Sequence, residues 1–580
     1  MVKLCTYLQS RSRTDRFMHE VTKLGAIGCF ETSYFADYQE HRLGSMMSGW
    51  TPIFGVAQTP PKRVVGPQGS KSVIWESPHW MIRTTSTEAS TTTGGGDEDE
   101  LFEQGDVTFV LVSSALVLLM IPGVGFFYSG LTRAMSALSL ILISFWSVAL
   151  VSLQWFLIGY SLTFSAGGSA FIGNFDHLFL FGVHPAPVAP HLPGQLFVLY
   201  QAMFAAITPA LIFGAAAERF RFLPATIFIP LWTTLIYDPL AYWAWNPHGW
   251  GAVLGGLDFA GGTPVHISSG AAALAYALVL GKRNQKGHPI PHSMSHVLLG
   301  TTLLWVGWFG FNGGSALSAS SQAVAATLAT HLSACAGAVT GLLLSYCRTR
   351  TYSGLGLCSG AVAGLVAITP AAGFVSPASS LLFGVVGATV CHVAVRLVQK
   401  FCCDDALEVF GNHGVGGIVG NLMTGVFAEK RLGAPDGGGL DGNWDQCWKQ
   451  LADTVAGFCW SFVMTLLLLL LINIIPGMRV RMSEGAERVG PDLAEHGERC
   501  YEWTSSEDRK TGHEVWQPTN LRPFPPALEF GKGGNPYVSN ANKYEPGRQF
   551  DYEAQLQQAH HCEGATQPRS VKFTESSHHL

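Results

Sequence analysis

The chain has 580 residues, 48% of them hydrophobic and only 13% charged, with a formal net charge of −5. Ordinary soluble domains carry about a quarter charged residues, so this composition excludes a simple soluble globule. The near-balanced charge gives no sign of a nucleic-acid partner.

The charge is unevenly placed. Residues 1–105 and 476–580 are polar, and long apolar runs lie between them, the pattern of a membrane domain with two polar tails. Residues 1–30 are broken by Lys3, Arg11, Arg13, Asp15, Arg16 and Glu20. No apolar signal-peptide core forms there, and the first span is expected to direct insertion. Residues 1–105 end in a Ser/Thr/Gly-rich, then acidic stretch. They read as a disordered extension or the product of a misplaced gene start, and no function is assigned to them.

A bilayer span needs about 20 largely apolar residues, and such long runs can only be helical, because every backbone polar group must be satisfied internally. Eleven runs qualify: 107–131, 135–163, 195–217, 222–244, 262–281, 294–314, 323–346, 354–373, 379–399, 408–428 and 452–475. Many of the 66 glycines lie inside them, which suggests closely packed spans. Basic residues follow the odd-numbered spans: Arg133, Arg219 and Arg221, Lys282, Arg283 and Lys286, Arg348 and Arg350, Arg396 and Lys400, Arg479 and Arg481. The loops after spans 2, 4, 6 and 8 contain no Lys or Arg. Only the loop after span 10, with Lys430, Arg431 and Lys449, departs from this. The predicted orientation is N-terminus outside and C-terminus inside. The ten Lys and Arg of residues 1–105 oppose it, although long segments can override charge.

The odd count suggests an inverted repeat of five plus five spans, with span 11 added. The runs 121–130 (IPGVGFFYSG) and 306–315 (VGWFGFNGGS) echo one another in spans 1 and 6. Spans 5 and 10 each pair an acid with a following histidine, Asp258 with His266 and Glu408 with His413. Transport sites commonly lie at such repeat interfaces near the midplane.

His266 and His413 are the chemically informative residues, because an ionisable side chain within a membrane span is expensive and is retained for a reason. A neutral histidine bonded to a backbone carbonyl is the competing reading, and it is the one given to His331 and His392. Asp258 stands just before span 5, where a carboxylate can cap the helix and favour its dipole. The twelve cysteines contain no CxxC pair and no metal spacing. Cys402 and Cys403, at the end of span 9, are either acylated or plain interfacial thiols. No P-loop, GxSxG or metal motif appears, so no enzymatic activity and no cofactor is expected.

The run 258–283 (DFAGGTPVHISSGAAALAYALVLGKR) closely resembles the signature of the ammonium transporter (Amt/Mep/Rh) family. The resemblance continues in order through 204–221, 307–315, 359–370 and 404–420 and covers roughly residues 105–503, with a flavour closest to the fungal Mep proteins. It implies an all-α polytopic domain over 106–476, a homotrimer, and uptake of ammonium, or its analogue methylammonium, across the plasma membrane. It further implies that His266 and His413 are the paired pore histidines, and that Phe204 and Phe311 are stacked rings closing the outer end of the pore. Trp245 and Ser315, with Phe204, would recruit the cation, and Asp258 would be the acid below that site. Taken alone, Trp245 reads as an interfacial anchor and the two phenylalanines as core. The family often has Asp where this chain has Glu408. Residues 477–503 resemble the family's cytoplasmic regulatory segment, with Asp492, Glu495, His496, Gly497 and Tyr501 in its motif. Residues 504–580 read as a disordered cytoplasmic tail open to regulators. A nitrogen-sensing transceptor and a Rhesus-type channel for neutral ammonia remain the alternatives.

Overall fold

The computed structural model describes residues 102–183, 188–284 and 291–501. Among these, regular secondary structure is entirely helical, and nine helices are long and apolar enough to cross a membrane. They are α1 (Gln104–Leu131), α2 (Ala134–Phe164), α3 (Gly194–Ala216), α5 (Gly262–Leu280), α6 (Met294–Ala316), α7 (Ser321–Thr349), α8 (Gly354–Ala371), α9 (Pro377–Phe401) and α11 (Asp445–Ile474). The other two runs, 222–244 and 408–428, are helical over 222–245 (α4) and 410–427 (α10) but less apolar. Asp238 and several Trp and Pro residues dilute α4, and Asn412, His413, Asn421 and glycines dilute α10.

The helices divide by what surrounds them. α3 and α5 are buried on nearly every side. Their alanines and glycines leave no outward apolar stripe and let neighbours approach on all faces. α1, α2, α7, α9 and α11 bury one face and present Leu111, Phe145, Val324, Leu397 and Leu471 outward. An outward apolar face is what a bilayer requires. α3 and α5 therefore form the centre of the bundle and the half-buried helices its rim.

Several helices are interrupted by a single wide π turn, the form that tends to mark functional positions. These turns are Trp155–Gly159 in α2, Thr233–Tyr237 in α4, Gly262–Ile267 at the start of α5, Phe309–Gly313 in α6 and Phe410–Gly414 at the start of α10. The echo between 121–130 and 306–315 is therefore one of sequence only. The second stretch contains a π turn, whereas α1 is α-helical throughout.

The ends of α1, α3, α5 and α9 meet on one face and are joined by ion pairs. Arg133 Nε lies 2.9 Å from Glu218 Oε1. Arg283 grips Asp404 through Nε (3.0 Å) and Nη2 (2.8 Å). Arg219, fully buried, donates to the Asp404 carbonyl. The segment after α11 joins the same face through Arg481, which bonds Glu487 at 2.7 Å and the Leu280 carbonyl at 2.6 Å. Four of the basic residues used to predict orientation, Arg133, Arg219, Arg283 and Arg481, thus gather on a single side. Lys286, residues 1–101 and the tail beyond Tyr501 lie outside the described residues.

Candidate functional site

The site is built from the start of α5 and the start of α10. Asp258 accepts the N–H groups of Gly261 and Gly262 at Oδ1 and of Thr263 at Oδ2, each at 2.7 Å. A carboxylate with three backbone donors is a strong helix cap. Gly261 is left-handed, with φ 107°, and turns the chain into the π turn that carries His266.

The same device opens α10, with a different acid from the one expected. Asp405 accepts the N–H of Val409 at 3.0 Å and of Phe410 at 2.8 Å. His413 follows Asp405 at the same remove as His266 follows Asp258. The counterpart of Asp258 is therefore Asp405, which corrects the pairing of Glu408 with His413. Glu408 falls where the start of α5 has Gly261 and shares its left-handed backbone, with φ 63°. Its carboxylate takes a 3.4 Å contact from the Gln399 amide and does not cap the turn.

The two π turns bring the histidines together. His266 Nδ1 and His413 Nδ1 are 3.3 Å apart, and both residues are buried. One ring must donate and the other accept, so their tautomers are linked. Among the described residues His266 Nε2 is buried without a hydrogen-bond partner. The close approach depends on Gly270: a Cβ there would lie 2.2 Å from the Gly414 nitrogen. Both histidines line a cavity whose other walls are mainly apolar, among them Val265, Leu211, Leu304, Trp308 and Phe311. The His266 ring stacks against Trp308 and Phe311, with centroids 5.5 and 6.0 Å away.

At one end of this cavity Phe311 faces Phe204, ring centroids 4.3 Å apart. Trp245 meets Phe204 edge-on at 5.9 Å and donates from Nε1 to the Asp258 carbonyl at 3.1 Å. Ser315 donates to the Phe311 carbonyl at 2.8 Å, and the Tyr200 hydroxyl stands 3.2 Å from Ser315 Oγ. Tyr200 also reaches the Gly310 and Phe311 carbonyls at 3.0 Å and packs on Phe204 at 5.0 Å. Tyr200 was not singled out from the sequence: a tyrosine in an apolar helix carries no mark of this role. Nor was Tyr128, which lines the cavity and donates to the Leu211 carbonyl at 3.1 Å. His331, beside Trp305 and Phe309, and His392, beside Arg396, are not among the residues lining this cavity.

The C-terminal segment is fastened to the membrane domain. Asp492 accepts the N–H groups of Leu138 and Ser139 and the Ser139 hydroxyl at 2.8–2.9 Å, capping α2. Glu495 accepts the Phe222 N–H at 3.1 Å. His496 packs edge-on against Phe222 at 4.9 Å, and burial pulls its imidazole below the usual range despite three nearby carboxylates. Gly497 is left-handed, with φ 69°. The Tyr501 hydroxyl lies 3.3 Å from His292 Nε2 and 3.2 Å from His296 Nε2.

Residues 108–501 match the family model described as the Ammonium Transporter Family. Ammonium transporter 1 of Schizosaccharomyces pombe is 47% identical over 444 residues, 73% of this chain and 89% of that protein. Ammonium transporter MEP2 of Saccharomyces cerevisiae is 43% identical over 440 residues, 72% of this chain and 88% of that protein. The crystal structure of Candida albicans Mep2 is similar at a TM-score of 0.65 and 44% identity, covering 67% of this chain and 89% of that one.

Proposed function

The chain belongs to the ammonium transporter family, and from that premise we propose that it carries ammonium through a pore lined by His266 and His413. It is a multi-pass membrane transporter, and its relatives are transporters, not enzymes. Eleven spans, the N-terminus outside and the C-terminus in the cytoplasm complete the proposed topology. The gathering of basic residues on one face supports this orientation. The proposed setting is a homotrimer in the plasma membrane.

Ammonium is a small monovalent cation with four N–H donors. Trp245 and Phe204 offer it aromatic faces, worth about 2 kcal/mol or more once water is excluded. Ser315 adds a hydroxyl oxygen. Stripping an ion of water in an apolar passage costs on the order of tens of kcal/mol, which such contacts cannot offset. The proton therefore travels apart from the nitrogen: ammonium passes its proton to the His266–His413 pair, and ammonia crosses the apolar cavity. The linked tautomers of His266 and His413 let one ring nitrogen accept from ammonia while its partner donates, and give the proton a relay. Asp258 acts through structure: its oxygens are taken up by the α5 cap, and its carbonyl orients Trp245.

The observation that carries this reading is the 3.3 Å approach of two buried histidines in a mainly apolar cavity. The test is current through purified protein in proteoliposomes on an ammonium pulse, beside His266→Ala/His413→Ala. A saturable current lost in the variant is expected. Internal alkalinisation without current would instead indicate a channel for neutral ammonia. Silence in both assays would favour a nitrogen sensor. In every case Asp492 and Tyr501 tie the cytoplasmic segment to the ends of the spans, a route by which regulators of the tail would reach the pore.

A further inference from the structure

Between the two histidine-bearing helices and α11 lies a buried polar cluster that the transport reading does not use. The Thr263 hydroxyl donates to Asp453 Oδ2 on α11. The Asn421 amide of α10 reaches the same oxygen at 3.1 Å, the Thr263 hydroxyl at 3.2 Å and the Thr454 hydroxyl at 2.8 Å. Gln450 donates to Asn421 Oδ1 at 2.6 Å, which fixes the orientation of that amide. All five side chains are buried. On the other side of Thr263, Gly457 makes room for its methyl group: a Cβ at Gly457 would sit 2.4 Å from Thr263 Cγ2.

This arrangement is more specific than a stabilising network needs to be. Thr263 lies inside the π turn that carries His266, and its N–H is already held by Asp258. Its hydroxyl is held separately by Asp453, so backbone and side chain are clamped by two different carboxylates. Asn421 belongs to the helix whose first turn carries His413. Asp453 Oδ2 thus anchors both histidine-bearing helices to α11, beside the direct Asn421–Thr263 contact, and no ion pair joins it to a cation among the described residues. Other polar side chains in the spans mostly return to the carbonyl one turn earlier on their own helix, as Thr301 and Thr330 do.

We infer that Asp453 is a positioning residue for transport: through Thr263 and Asn421 it sets the spacing of His266 and His413. The inference rests on the histidine-pore reading. A hydrogen bond between two imidazoles tolerates little displacement. A misplacement of about 1 Å at a reacting geometry can cost about a hundredfold in rate. The outer site of Trp245, Ser315 and Phe204 is held by other bonds, so apparent affinity should stay while rate falls.

The experiment is radiolabelled methylammonium uptake by the full-length protein in proteoliposomes. Thr263→Val, Thr263→Ser and Asp453→Asn are compared, with His266→Ala as control. Valine keeps the methyl contact with Gly457 and loses only the hydroxyl; serine keeps the hydroxyl. The expected result is a maximal rate lowered by about ten- to a hundredfold in Thr263→Val and Asp453→Asn, with half-saturation within about twofold of wild type. Serine should restore the rate, and the Thr263→Val/Asp453→Asn double variant should be no slower than either single one. A Thr263→Val protein as fast as wild type would overturn the inference. So would a changed half-saturation at an unchanged maximal rate, which would make Asp453 part of the outer electrostatics. If Asp453→Asn does not reach the membrane, the valine–serine pair decides alone. If His266→Ala transports normally, the histidine-pore reading itself fails and takes this inference with it.

Discussion

Asp405 does at the entry to α10 what Asp258 does at the entry to α5: each carboxylate accepts successive backbone N–H groups and so fixes the π turn that presents a histidine to the cavity. The two helix starts share a local mechanism, cap, left-handed residue, π turn, histidine, although their sequences around it differ. Orphan N–H groups at a buried helix start must be satisfied somewhere, and here the carboxylates do it.

Removing either cap should be felt in stability before chemistry. Asp405→Ala and Asp258→Ala are each expected to lose about 1–2 kcal/mol, while Asn at either position, itself a good cap, should lose less. Thermal unfolding of the detergent-solubilised protein, with the alanine and asparagine variants side by side, checks this. Equal melting temperatures for Ala and wild type would show that the caps are dispensable.

Glu408 is the one non-glycine residue on this stretch with a left-handed backbone. An L-residue there carries a penalty of about 1–2 kcal/mol that glycine escapes. Among the described residues its carboxylate makes one hydrogen bond in return, the 3.4 Å contact with Gln399, with Arg396 as a nearby charge. Glu408→Gly should therefore raise the melting temperature, by the equivalent of about 1 kcal/mol less the greater freedom glycine brings to the unfolded chain. A lower melting temperature would mean that the carboxylate supports the loop in a way its contacts do not reveal.

How much of this was legible in the sequence follows from which signals are local. Lipid-facing helices announce themselves as apolar runs, so α1, α2 and α9 begin and end within a few residues of the expected bounds. α11 does not: it starts at Asp445 rather than near 452, because Gln446 and Gln450 are polar yet face the interior of the bundle. A criterion that expects lipid on every side cannot see them. His266 and His413 stood out because buried imidazoles in a membrane span are rare. Nearness in sequence points to Glu408 as the acid of His413, whereas capping geometry requires the carboxylate a turn earlier, Asp405. Tyr200, Thr263 and Asp453 meet their partners only across helices, and no spacing along the chain encodes that.

The pH dependence of stability should be carried in part by the loop before α10. Burial, with the neighbouring Asp405, pushes the Glu408 carboxyl up to about 7, and burial pushes Asp405 up to about 6. A carboxyl that titrates higher in the folded protein than in the unfolded chain binds its proton more tightly when folded. Its contribution is fully present below the unfolded value of about 4 and is lost as pH rises through the folded one. Melting temperature should accordingly decline from about pH 4 to about pH 7 on account of this pair. Glu408→Gln, which cannot ionise, should gain on wild type as pH rises across that window. A difference between the two proteins that does not change with pH would refute the assignment.

The C-terminal segment supplies a prediction that needs no transport assay. Asp492 accepts both Leu138 and Ser139 amides at the start of α2. Asp492→Ala leaves these groups to water or unpaired, a loss of about 1–2 kcal/mol confined to that turn. Hydrogen exchange over residues 137–141 should quicken by roughly tenfold, while α5 and α10 stay unchanged. Uniform protection in the variant would show that the segment only rests on the membrane domain.

The Phe204–Phe311 pair raises the question of what excludes other cations. The rings sit 4.3 Å apart, Trp245 meets Phe204 edge-on and His266 stacks on Phe311, and in the proposed pore the pair stands between the recruitment site and the histidine cavity. With both rings present, an ion would have to shed its water to pass, and potassium has no proton to leave behind. Phe204→Ala removes one wall of that constriction and opens a void beside Tyr200. Water can then enter, and with it the dehydration penalty that rejects potassium falls. The variant is expected to conduct potassium in proteoliposomes where wild type does not, and its methylammonium uptake should become sensitive to potassium in the bath. Removal of Trp245 should act differently: Trp245→Leu leaves the two rings in place and removes only an aromatic face, so uptake should weaken in apparent affinity while potassium stays excluded. If Phe204→Ala remains impermeable to potassium, exclusion resides deeper, at the histidines and the apolar wall around them, and the stacked rings act only as packing.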